Sequence, residues 1–209
     1  MNPATDPARK RIIVLASGRG SNFQAIIDAL ETGDIPGACI GLVTDNPFAY
    51  AIERAKNAGI PVTVVDFGSF SSKQEYEEAL LETLNEYNPD LILLAGYMRI
   101  VGKDTVRRFR GRMINIHPAL LPSFPGLHSQ KQAIDYGVRV SGCTVHFVDE
   151  HMDSGPIIVQ ACVPVLQDDD EDTLAGRILL EEHRCFPLAV KLFCTGRLRI
   201  RGRIVEILE

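Results

Sequence analysis

Arg11-Ile12-Ile13-Val14-Leu15-Ala16-Ser17-Gly18-Arg19-Gly20-Ser21-Asn22 joins an unbroken apolar run to a glycine loop, and its reading decides the fold. An apolar run with no polar alternation suits a strand buried on both faces, as in a parallel sheet. Helical spacing follows, with Phe23, Ile26, Ile27 and Leu30 on one side and Gly33 placed to end the helix. A strand, a glycine loop and a helix start gather backbone N–H groups at the positive end of a helix dipole, which suits a phosphate. Taken alone, the loop is equally a glycine turn with a Ser or Asn cap. It is not a dinucleotide fingerprint, because Phe23 stands where the third glycine belongs, and no Gly-Lys-Ser/Thr marks a P-loop.

Working outward, apolar runs at 39–44, 61–65 and 91–95 alternate with helical patterns at 49–58 and from a Ser71 or Ser72 cap to Tyr87. The order βαβαβαβ implies parallel strands with right-handed crossovers. Beyond it come a short helix to Phe109, a strand ending in Asn115 and His117, a helix over 129–136, and strands over 141–148 and 157–165. A last helix, about 172–194, contains Pro187, which should kink or break it. Alternation on either side of Gly202 reads as a hairpin. The expected fold is α/β: a three-layer, mostly parallel Rossmann-like sheet of about seven strands with helices on both faces, plus a short C-terminal β hairpin.

The 209 residues suit one domain, and 45% hydrophobic content without Trp is ordinary for a globular α/β chain. A net charge of −5 argues against general affinity for nucleic acid. No apolar run approaches the roughly 20 residues of a membrane helix, and the N-terminus lacks a hydrophobic signal core. The five cysteines are scattered and never form a Cys-x-x-Cys pair, which fits packing thiols in a reducing, cytoplasmic setting.

The chemistry centres on Met113-Ile114-Asn115-Ile116-His117-Pro118-Ala119-Leu120-Leu121-Pro122. Side chains alternate along a strand, so Asn115 and His117 project the same way while Ile114 and Ile116 turn inward. Pro118 ends the ladder, and strand ends are where open α/β sheets keep their chemistry. In the strand over 141–148, Thr144, His146 and Val148 form a more polar face that can border a cleft.

Three stretches, 16–26, 94–100 and 114–122 with its partners 145–150 and 153–156, resemble the phosphoribosylglycinamide formyltransferase family of folate-dependent purine-biosynthesis enzymes. The resemblance covers the chain up to about Arg199. It implies a single formyltransferase domain over 1–209, with 1–10 disordered, 11–110 binding the ribonucleotide, and 111–209 carrying folate and catalysis. It implies that Gly20, Ser21 and Asn22 hold the phosphate and ribose of glycinamide ribonucleotide, with Glu182 near the ribose or amine. It further implies that Met98, Arg99, Ile100 and Val101 receive the pteridine of 10-formyltetrahydrofolate, beside Asn115. On that reading Asp149, Glu150, His151, Met152 and Asp153 form the loop closing on the folate, and Leu121–Pro122 is cis. The chain departs from the family at Leu179, often polar, and at Lys73, where some relatives carry an arginine that contacts the cofactor.

The side chains suit that reaction. Formyl transfer to a primary amine passes through a tetrahedral adduct with an oxyanion, and the leaving nitrogen needs a proton. Asn115 can donate to the oxyanion, His117 can shuttle protons, and Asp153 can orient the ring and stabilise its charge. Other readings are a metal cluster of His117, His128, His146, His151, Cys143 and Asp153, a nicotinamide-binding domain using Asp45, and a non-catalytic nucleotide-binding module. The metal reading lacks the tight spacing of a zinc site, and no metal is expected. Among formyl-transfer relatives, the transfer RNA enzyme and the formyltetrahydrofolate hydrolase call for further domains. The partners expected are small molecules only, with no nucleic acid and no membrane, acting on a monomer or homodimer.

Overall fold

The computed structural model describes residues 9–209. The disorder expected over 1–10 falls, for residues 1–8, outside the described residues, and it does not hold for Lys10, which opens the first strand. The chain divides into two compact units, one ending at Ile114 and one spanning Asn115–Glu209. The division falls inside a strand.

The first unit carries β1 (Lys10–Leu15), β2 (Gly37–Thr44), β3 (Val62–Val64) and β4 (Leu91–Leu94), side by side in the order β3-β2-β1-β4. All of these pairings are parallel. Ile12, Ile13, Val14 and Leu15 are fully buried, as their unbroken apolar run requires. Helices α1 (Ser21–Glu31), α2 (Ala51–Asn57), α3 (Lys73–Tyr87) and α4 (Lys103–Arg108) connect and follow the strands. Ser72 Oγ accepts from Glu75 N at 3.2 Å and Glu75 reaches back to Ser71 N at 3.0 Å, so both candidate cap serines contribute to the start of α3. Helix α2 is shorter than the 49–58 pattern, because residues 47–50 are used in the turn that leaves Asn46.

The second unit continues β5 (Met113–His117) into α5 (Ser129–Tyr136), β6 (Val140–Phe147), β7 (Ile157–Pro164), α6 (Glu171–Cys194) and the strands β8 (Leu198–Arg201) and β9 (Ile204–Ile207). β6 and β7 are antiparallel, β7 and β9 parallel, and β8 and β9 form the expected C-terminal antiparallel pair. The fold is therefore α/β with mostly parallel strands flanked by helices.

Pro187 does not break α6, which runs uninterrupted through it. A proline inside a helix costs about 3 kcal/mol. Cys185, Phe186, Ala189 and Val190 are buried around it, and side chains of the larger apolar kind contribute roughly 1.5–3 kcal/mol each, enough to outweigh the defect. An Asp170–Thr173 capping box, with bonds of 2.8 and 2.9 Å, starts the helix.

Candidate active site

In the first unit, the loop after β1 is shaped by its carbonyls. Ser17 O accepts from Asn46 Nδ2 at 3.0 Å, Gly18 O from Ala51 N at 3.0 Å, and Arg19 O from Arg54 Nε at 2.9 Å. The carbonyls are thus taken by partners from the turn after β2 and from α2. Gly20 stands at the N-cap with φ +68, and no side chain caps the helix, so the Ser or Asn cap is not what forms here. A Cβ on Gly20 would lie 2.8 Å from Ala51 Cβ, so position and conformation both require glycine. Ser21 and Asn22 follow as the first helical residues, with no acidic residue in the first turn to oppose an anion.

The segment of Met98, Arg99, Ile100 and Val101 follows β4 without regular structure, and Met98 and Ile100 are exposed. Arg99 Nε donates to the buried Asp45 Oδ2 at 2.8 Å, and its guanidinium lies 3.8 Å above the Phe67 ring. A cleft of about 490 Å³ is lined by Ser17, Asp45, Phe48, Phe67, Met98 and Arg99, among others. Lys73 stands apart from this arrangement at the exposed start of α3, where Glu77 answers its charge at 3.3 Å. Burial pushes the Tyr76 phenol up to about 12, and the Tyr76 and Tyr97 hydroxyls are bonded to each other beneath the segment.

The second unit brings Asn115, His117 and Asp153 together. His117 is 4% exposed at the end of β5, with Nδ1 3.5 Å from Asp153 Oδ2 and Nε2 2.9 Å from the Phe124 carbonyl oxygen. Asn115 Nδ2 lies 3.5 Å from Asp153 Oδ1 and 3.2 Å from His146 Nε2. Asp153 adopts φ +48, a left-handed conformation that Asp tolerates better than most residues, and its Oδ2 also accepts from Gly126 N at 2.8 Å.

His146 is the residue the sequence did not single out for the site. Its Nδ1 faces the Phe147 carbonyl at 2.9 Å, which accepts only, so the proton sits on Nδ1 and the Nε2 lone pair receives Asn115. Burial lowers the His146 pKa, which agrees with a neutral ring. An Asn115 amide turned the other way would set its oxygen against both this lone pair and the Asp153 carboxylate, so the neighbours decide the amide's orientation. The alternation over 141–148, which separates His146 from the fully apolar positions, was the available signal.

The loop after β5 is fastened from below. Thr144 Oγ1 donates to Ala119 O at 2.6 Å and accepts from Leu121 N at 3.0 Å, and Gln160 Nε2 donates to Leu121 O at 3.0 Å. Leu121–Pro122 is cis. Within the acidic turn, Asp149 is structural: it accepts from His151 N at 3.0 Å and Ser154 Oγ at 2.9 Å. Glu150, His151 and Met152 are exposed on that turn. Arg203, from the hairpin, donates to Ser154 O at 2.7 Å and ties the tail to it. Glu182 is buried on α6, one turn before Cys185, and Leu179 is half-buried on the same helix. Among the described residues, no group of three or more His, Cys, Asp or Glu side chains is arranged to hold a metal ion, and no helix is long and apolar enough to cross a membrane.

Comparison with known proteins gives these features a family. The trifunctional purine biosynthetic protein adenosine-3 of Drosophila melanogaster is 48% identical over 190 residues, which are 90% of this chain but only 14% of that much longer protein. Phosphoribosylglycinamide formyltransferase of Escherichia coli (strain K12) is 42% identical over 189 residues, 90% of this chain and 89% of that one. The crystal structure of glycinamide ribonucleotide transformylase 1 from Symbiobacterium toebii superposes with a TM-score of 0.94 at 48% identity, covering 98% of this chain and 96% of that chain. A formyl transferase family model matches residues 10–190, and the chain belongs to the formyl transferase family.

Proposed function

We propose that the chain transfers the formyl group of 10-formyltetrahydrofolate to the primary amine of glycinamide ribonucleotide, giving formylglycinamide ribonucleotide and tetrahydrofolate, as a single formyltransferase domain in purine biosynthesis. The observation that carries the reading is the cluster at the end of β5, where the Asp153 carboxylate lies 3.5 Å from both the Asn115 amide nitrogen and the His117 imidazole.

Each group has a role that follows from its bonds. Asn115 Nδ2 makes a long contact to Asp153, so one amide hydrogen can turn to a developing oxyanion; a donor of this kind contributes about 3 kcal/mol. His117 carries the proton needed by the leaving folate nitrogen, a general acid/base contribution of about 10²–10⁴-fold. Asp153 holds the ring by Nδ1, and His146 holds Asn115. Gly20, Ser21 and Asn22 take the phosphate through backbone N–H groups, and Glu182 takes the ribose or the amine. Met98, Arg99, Ile100 and Val101, the loop of Asp149, Glu150, His151, Met152 and Asp153, and Lys73 take the folate. A cytoplasmic location and a monomer or homodimer go with this reading.

The test is an absorbance assay with 10-formyltetrahydrofolate and glycinamide ribonucleotide, repeated with water as the only acceptor. Turnover that requires the ribonucleotide supports the transferase. Equal turnover without it identifies a hydrolase, and inertness toward the folate ends the proposal.

A further inference from the structure

The segment after β4 has no regular structure, yet the ends of β1 and β2 grip it. Ser17 N donates to Gly96 O at 3.1 Å, and Ser17 Oγ accepts from Met98 N at 2.8 Å. Asp45, at the end of β2, takes Arg99 Nε through Oδ2 and Phe67 N through its carbonyl at 3.3 Å. One residue therefore sets both the guanidinium and the ring beneath it. Phe67 is in turn backed edge-on by Tyr76, with ring centroids 5.0 Å apart.

Stability does not account for this acid. The Asp45 side chain is 4% exposed while that of Arg99 is 43% exposed, and Asp45 Oδ1 is buried with no hydrogen-bond partner among the described residues. A carboxylate so buried gives up hydration that one half-exposed partner does not restore. What the pair provides is direction: a guanidinium held at Nε and laid flat on an aromatic face has little rotational freedom left.

We propose that Asp45 is a positioning residue for the folate donor, acting through Arg99: it locks the guanidinium on Phe67 so that residues 98–101 present one fixed surface to the cleft. The inference rests on the reading, proposed above, that 98–101 receive the folate.

The experiment measures donor KM, ribonucleotide KM and kcat for Asp45→Asn, Arg99→Ala and the double variant, with melting temperatures alongside. Asp45→Asn should raise donor KM by about tenfold, the low end for a hydrogen bond to a charged group, with kcat and ribonucleotide KM within about twofold. Arg99→Ala should raise donor KM as well. The double variant should be no worse than Arg99→Ala alone, because Asp45 acts through that side chain. Should Asp45→Asn fail to fold, Phe67→Leu removes the platform instead and should give the same selective rise in donor KM. If Arg99→Ala leaves donor KM unchanged, the folate reading of 98–101 falls and the proposal with it. If Arg99→Ala raises donor KM but neither Asp45→Asn nor Phe67→Leu does, that reading stands and the positioning role is overturned. Additive effects in the double variant, or a uniform loss across all constants, also overturn it.

Discussion

His117 presents Nδ1 to Asp153 Oδ2 at 3.5 Å and Nε2 to the Phe124 carbonyl oxygen at 2.9 Å. Both ring nitrogens thus face oxygen acceptors, and an imidazolium, a donor at both positions, satisfies the two together. His117→Ala should keep the fold and ligand binding and lower kcat by about 10²–10⁴-fold, the range for loss of a general acid/base, read in steady-state assays beside a thermal melt. Turnover like the parent's removes His117 from the chemistry.

Asp153→Asn separates the acid's charge from its backbone role. Asparagine tolerates the left-handed φ of +48 as aspartate does, so the turn should survive with an unchanged melting temperature. What is lost is the carboxylate facing His117 and Asn115, and kcat should drop at least about tenfold, since hydrogen bonds to charged groups contribute roughly 1.5–3 kcal/mol. A kcat like the parent's would show that Asp153 only shapes the loop.

Thr144→Val keeps the volume of a side chain that bonds Ala119 O, Leu121 N and Gln160 Nε2. The buried carbonyl and N–H of the 118–122 loop lose their partner, at a cost of about 1–3 kcal/mol for each unsatisfied group. Denaturant unfolding should show this loss together with a lower kcat, because the chain runs on from this loop to the Phe124 carbonyl that meets His117. Stability like the parent's would mean that water replaces the hydroxyl.

Gly155→Ala should be more severe. A Cβ there would sit 1.7 Å from Phe147 O, a backbone atom that cannot swing aside. Overpacking commonly costs about 1–3 kcal/mol, and a backbone collision belongs at or above the top of that range. Because the clash lies where β6 meets the turn carrying Asp153, activity should fall with stability, as parallel melts and assays would show.

His146 links stability to pH. Its pKa is lowered in the folded chain, chiefly by burial, so the unfolded chain binds the proton more readily. The stabilisation is full above the unfolded value of 6.5 and is lost as pH falls from there through the depressed folded value. Melting temperature should therefore decline on acidification below 6.5, and His146→Gln should flatten the slope in that window. An identical slope in the variant assigns the decline to other groups.

Most elements and their kind are legible in local stretches of the chain. Unbroken apolar runs mark β1 and β4, serine caps and helical spacing mark α3, and period-two alternation places Asn115 and His117 on one face of β5. Those signals are local, spanning a few residues, and they depend only on the strand and helix periods. Tertiary structure decided what meets across long stretches of chain: Asp153 returning to His117, His146 orienting Asn115, Asp45 gripping Arg99, and Arg203 tying the tail to the turn at Ser154. It also overrode a local signal at Pro187, where burial of neighbouring side chains outweighs the missing hydrogen bond. Strand register and chain reversal set these meetings, and neither leaves a periodic mark on the residues that meet.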